Sequence, residues 1–173
     1  DGDTSTNDTV LIMANGMSGV SLNDSPVKEA FKNALEAMLI ELAKMVVKDG
    51  EGVTKLVEII VNGAASDGDA KKMADTVAHS NLVKTAFFGE DANWGRIIGA
   101  LGRAGVSLNP DAIDLSFNDI MLVKDGLWFG AGAEVEATKV MKLSEFAVIM
   151  YFVFGIGQYY CWFCCFFIIF LKI

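Results

Sequence analysis

Basic clusters, an initiator methionine and any cysteine before residue 161 are all missing from this chain. Its 173 residues carry 14 Lys and Arg against 22 Asp and Glu, a formal net charge of -8. With no run of five or more basic residues, the chain has little with which to release counterions from phosphates, which argues against a nucleic-acid partner. The start, Asp1-Gly2-Asp3, is not the basic segment followed by an apolar one that marks a secretory leader. A chain that opens this way reads as processed or as a fragment. A body without cysteine has no disulfide framework, the pattern of an intracellular protein. Histidine is nearly absent as well: the single His79 falls late in an expected surface helix and has no Ser or Cys partner in view for a triad.

Charge is missing from one further place. From Phe146 to Leu171 there is no Asp, Glu, Lys or Arg. The composition therefore divides the chain into a body, residues 1–145, and an uncharged apolar tail, residues 146–173. Three readings of the tail compete. Hydropathy alone gives a transmembrane segment, since roughly 20 apolar residues span a bilayer. A frameshift or retained intron would give a tail that is not native. A core segment of the domain is ranked last, because half-buried strands should alternate. The cysteines fall here, and Cys161-Trp162-Phe163-Cys164-Cys165 has a CxxC spacing without a second pair or a nearby His, so no zinc site is expected.

Apolar and charged segments alternate through the body. Strands are expected at Thr9–Ala14, Lys55–Val61, Leu82–Phe88, Ile113–Phe117 and Ile120–Lys124. Helices are expected from Ser25-Pro26 to Lys48, over Ser66–Ser80, over Ile97–Ala104 and over Glu134–Lys142. In the first of these, Phe31, Ala34, Leu35, Met38, Leu42 and Met45 repeat at three- and four-residue spacing, one apolar face. Gly50 is placed as its left-handed C-cap. Strands and helices in turn give an α/β or α+β domain of stacked layers.

Three constellations carry chemistry. Asp1-Gly2-Asp3-Thr4-Ser5-Thr6-Asn7-Asp8 packs donors and carboxylates beside an apolar segment, which suits a ligand loop or, more plainly, an Asx/Ser-Thr turn. Calcium is rejected, because Thr6 and Ile12 stand where a calcium loop needs Gly and Glu. In Asp49-Gly50-Glu51-Gly52 two glycines let backbone approach a ligand, and the carboxylates suit an ammonium group. Asp91-Ala92-Asn93-Trp94-Gly95-Arg96 puts carboxylate, amide and guanidinium where a helix begins. Free backbone N–H groups there suit an anion. The alternative is an N-cap at Asp91 or Asn93 with Arg96 as its ion-pair partner. Gly130-Ala131-Gly132 lacks the third glycine of a dinucleotide loop.

Together these three motifs, in this order, resemble the β chain of the glutamate N-acetyltransferase (ornithine acetyltransferase) family of arginine biosynthesis, from Asp1 to about Lys142. The resemblance implies a self-cleaving precursor whose β chain starts with a nucleophilic Thr. That Thr takes the acetyl group of N-acetylornithine and passes it to glutamate by a ping-pong route. No metal or organic cofactor is implied, although acetyl-CoA serves as donor in some members. Glu51 matches the family's substrate-binding glutamate, with Asp49, Gly50, Gly52, Asp91, Asn93 and Arg96 in support. The nucleophile lies upstream of Asp1 and is absent, as is the α chain with which the β chain forms a heterotetramer. A C-terminal substrate-binding Asn and Thr have no counterpart. The expected function is thus a fragment of an acyltransferase, inactive alone, from a bacterial cytoplasm, a mitochondrion or a plastid. A related aminopeptidase-like hydrolase and a membrane-anchored remnant are the alternatives.

Overall fold

A computed structural model describes residues 6, 7 and 9–166, with side chains described as far as Cys161. Asp1, Asp3 and Ser5 of the opening run, and the side chains of Cys164 and Cys165, lie outside the described residues. The chain forms two compact units that meet between Val46 and Val47.

The larger unit is built on a six-stranded sheet. Its strands are β1 (Val53–Ala64), β2 (Ile113–Phe117), β3 (Ile120–Lys124), β4 (Leu127–Trp128), β5 (Glu145–Phe152) and β6 (Gly157–Phe166), in the order β4-β3-β2-β5-β1-β6. Only β1 and β5 run parallel, Leu56 opposite Glu145 through Asn62 opposite Tyr151; the other pairs are antiparallel. Helices α2 (Asp67–Ala78), α3 (Asn81–Phe88), α4 (Trp94–Leu101) and α5 (Ala131–Met141) complete the layer, α2 on β1 and β6 and α5 on β3. Val57, Ile59 and Val61 of β1, Val148, Met150 and Phe152 of β5, and Met73, Ala74 and Val77 of α2 are fully buried together. The mixed α/β layering expected from the sequence is the one observed.

Two strand assignments are corrected. Leu82–Phe88 is helical: Ser80 caps α3 by accepting from the Val83 N–H, and Val83, Ala86 and Phe87 point inward at helical spacing. Leu82 and Phe88, apolar but exposed, mask that period in the sequence. Thr9–Ala14 forms no strand. Val10, Leu11, Ile12 and Met13 are exposed and lie in no regular element, and no described strand pairs with them.

The boundary at residue 145 is corrected as well. Phe146–Phe152 sits inside the sheet with β2 on one side and β1 on the other, and β6 pairs along nearly all of β1. Phe146, Val148, Met150 and Phe152 face the core, while Ala147, Ile149 and Tyr151 face the other way and are half-buried or exposed. The burial alternates as a half-buried strand should. The hydropathy does not, because both faces are apolar. Among the described residues no helix is long and apolar enough to cross a membrane.

The smaller unit covers residues 2–46 and contains most of helix α1 (Ser25–Lys48), which runs on into the larger one. Not one residue of α1 is buried; Phe31, Met38, Leu42 and Met45 are about half exposed. Within this unit Met13, Asn15, Val20, Leu22 and Phe31 help to line an open groove of about 610 Å³.

Candidate functional site

Asp49-Gly50-Glu51-Gly52 is the turn between α1 and β1. The Val53 N–H donates to the Gly50 carbonyl at 3.1 Å, which closes the turn. The left-handed residue is Gly52, at φ +72°, and not Gly50, so the helix does not end on the C-cap assigned to it. A side chain at Gly50 would press on Val53 Cγ2 at 2.9 Å, so both glycines are needed for the tightness of the turn. Asp49 and Glu51 project from it into solvent. An exposed carboxylate on a glycine-bounded turn can take an ammonium group by charge-assisted hydrogen bonding.

Both flanks of this turn are tied to the junction between α5 and β5. Before it, Lys48 Nζ pairs with Glu145 at 2.8 Å. After it, Lys55 Nζ donates to the carbonyls of Met141 at 2.6 Å and Leu143 at 3.4 Å, and lies 3.5 Å from Glu90 Oε1. Among the described residues Lys55 is the one buried charged side chain. Sequence reading placed Lys55 at the start of a strand and went no further. The available signal was register, since period two puts Lys55 on the face of Val57, Ile59 and Val61.

The second motif lies between α3 and α4. Glu90 is left-handed, at φ +56°. Asn93 Nδ2 donates to Asp91 Oδ2 at 3.1 Å, and Asn93 Oδ1 accepts from the Arg96 N–H at 3.2 Å, which makes Asn93 the N-cap of α4. The Arg96 guanidinium turns away from Asp91 and donates to the Leu82 carbonyl at 3.0 Å and Thr85 Oγ1 at 3.1 Å, joining α4 to α3. The capping alternative therefore describes Asn93, but Arg96 is a bridge between helices and not the ion-pair partner of that alternative. Among the described residues no hydrogen bond or ion pair joins Glu51 to Asp91, Asn93 or Arg96. The Lys55–Glu90 pair is what links the two motifs.

Elsewhere, Thr6 Oγ1 donates to Asn7 Oδ1 at 2.9 Å and Thr9 Oγ1 to the Asn7 carbonyl at 3.3 Å, while the rest of the opening run lies outside the described residues. Gly130, at φ +101°, precedes α5 without any side-chain cap. His79 closes α2, its Nδ1 2.6 Å from the Asp75 carbonyl. Lys71 donates to Tyr159 Oη at 2.9 Å and pairs with Asp75 at 3.0 Å; the hydrogen bonds to Tyr159 and then Asp75 hold its ammonium above the ordinary lysine range. Burial, with Asp75 nearby, pushes the Cys161 thiol up to about 12.

The chain is similar to known proteins along its whole length. The ArgJ family pattern matches residues 1–173, past the Lys142 limit drawn from the motifs. The arginine biosynthesis bifunctional protein ArgJ of Syntrophotalea carbinolica is 51% identical over 160 residues, 91% of this chain and 41% of that protein. The glutamate N-acetyltransferase of Methanocaldococcus jannaschii is 43% identical over 171 residues, 95% of this chain and 42% of that protein. The chain thus spans about two fifths of these relatives. The crystal structure of the arginine biosynthesis bifunctional protein ArgJ from Bacillus halodurans matches with a TM-score of 0.86 at 40% identity, covering 95% of this chain and 78% of that one.

Proposed function

The chain belongs to the ArgJ family, and on that premise we propose that it supplies part of an acyltransferase of arginine biosynthesis. In this reading the full enzyme moves an acetyl group from N-acetylornithine to glutamate. A Thr hydroxyl, carried outside this chain, attacks the acetyl carbonyl and releases ornithine. The amine of glutamate then attacks the acetyl-Thr ester, forms acetylglutamate and frees the hydroxyl, a two-step covalent route. Glu51 contacts the amino group of the substrate; Asp49, Gly50 and Gly52 shape its turn. Asp91, Asn93 and Arg96 hold the neighbouring helix pair in place. No metal or organic cofactor takes part; acetyl-CoA is the alternative acetyl donor in those family members that also make acetylglutamate from it.

The observation that carries this reading is the family match over the whole chain, with Glu51 exposed on a glycine-bounded turn. The partner is the remainder of the family polypeptide, which brings the nucleophile and the rest of the substrate pocket, in a heterotetramer of α and β chains.

Purified alone, the chain transfers no acetyl group from N-acetylornithine to glutamate. Co-expressed with the complementary part of a family polypeptide it does, and Glu51→Gln in that assembly lowers kcat/KM about 100-fold, the loss of one charge-assisted contact. Turnover by the isolated chain would overturn the division of labour. Cleavage of aminoacyl amides without acetyl transfer would favour the hydrolase alternative.

A further inference from the structure

Lys55 is a buried cation that the chemistry above leaves unused. Its ammonium has three N–H donors and meets three acceptors, the carbonyls of Met141 and Leu143 and the carboxylate of Glu90. Two of these close α5, whose C-terminal end favours a cation. The third sits on a left-handed, non-glycine residue, Glu90, in the turn that leads to Asp91 and Asn93. Strained residues of this kind persist where their surroundings hold them. On the other side of the Glu51 turn, Lys48 reaches Glu145, and next to Lys55 the Leu56 N–H donates to the Ser144 carbonyl at 2.8 Å. Residues 141–145 are therefore gripped from both ends of the turn, and among the described residues it is the ion pair of Lys55 with Glu90 that carries that grip to the turn before the Asp91–Arg96 motif.

We infer that Lys55 is a positioning residue: it fixes the Glu51 turn against the Glu90 turn, so that the two motifs act as one site. The inference rests on the reading of Glu51 as a substrate contact. Lys55 itself touches no reacting atom. It acts by setting where the Glu51 carboxylate stands, and its loss should show in substrate affinity more than in the chemical step. Glu90, in turn, balances a charge that would otherwise be buried without a counter-ion.

Amide hydrogen exchange on the chain as it stands reads this coupling without any activity. In Lys55→Met, the amides of residues 49–54 and 88–92 exchange about tenfold faster or more, and those of 57–61 and 147–151 keep their wild-type rates. Acceleration confined to 141–144 would make Lys55 a helix cap and nothing more, and uniform acceleration would mark plain destabilisation; either overturns the inference. If Lys55→Met does not fold, Glu90→Gln replaces it. That change must speed exchange at 49–54, remote in sequence from residue 90, and unchanged rates there overturn the inference as well. In the complemented enzyme, Lys55→Met raises KM for glutamate about tenfold with kcat within about threefold, and Lys55→Arg restores most of the affinity. Wild-type kinetics in Lys55→Met sink the inference and leave the functional reading intact. A wild-type assembly without acetyl transfer sinks the functional reading, and the exchange data then decide the coupling by themselves.

Discussion

Asp114 accepts from Lys124 Nζ and from the Asp125 N–H, at the end of the β2–β3 hairpin away from its turn. Burial opposes its ionisation, yet the two hydrogen bonds outweigh burial and hold the carboxyl below the usual carboxylate range. A folded pKa lower than the unfolded one, about 3.9, means stability that is present above that value and is lost as pH falls through the folded pKa. The gap in urea midpoint between wild type and Asp114→Asn should thus be open at pH 6 and narrow progressively as pH falls below about 4; a gap that keeps its size throughout the acid range would exclude this account. Cys161 shows the opposite displacement. With its thiol held protonated, alkylation by iodoacetamide at pH 8 should run at least about tenfold slower in the folded chain than in urea, as peptide mapping would report. At this scale the site was partly legible. The glycines and carboxylates of residues 49–52 point to the turn by type alone. The role of Arg96 does not, because its acceptors, Leu82 and Thr85, lie on a helix that reads as a strand, and a hydrogen bond to a backbone carbonyl leaves no trace in residue identity.

Among the elements, α3 is held to the sheet by aromatic packing. The Phe87 ring meets Phe146 edge-on at 5.4 Å and Phe117 at 6.1 Å, tying one helix to β5 and β2. Phe87→Ala should cost about 3–5 kcal/mol by chemical denaturation, the range for emptying a buried aromatic position. A cost below about 1 kcal/mol would mean that the site collapses around the gap. Strand β2 and the helix caps at Ser66 and Asn93 follow from alternation and from polar residues at helix starts. By contrast α3 and β5 are hard to read, since each carries apolar residues on the face that points away from the core. Periodicity reports the contrast between two faces, and where that contrast is gone only the partners across the sheet decide what forms.

Taken whole, the chain joins a packed unit to one with little core of its own. Val10, Met13, Met17, Met45 and Val46 are each more than 60% exposed, and α1 buries nothing. Exposed apolar side chains in this number mark an interaction face or a liability to aggregate. The isolated chain should therefore bind 1-anilinonaphthalene-8-sulfonate with a clear rise in fluorescence at neutral pH, and co-expression with the complementary polypeptide should abolish it. Fluorescence that persists in the assembly would show that this surface is not where the partner sits. The parallel pairing of β1 with β5 has its own consequence, and it concerns time. Both neighbours of β1, β5 and β6, come after all the other described strands in the chain. At about 5–20 residues per second of synthesis, β1 waits several seconds on the ribosome with neither edge occupied. A chain halted before residue 145 leaves it waiting for good, a bare apolar ribbon for chaperones or proteases to find.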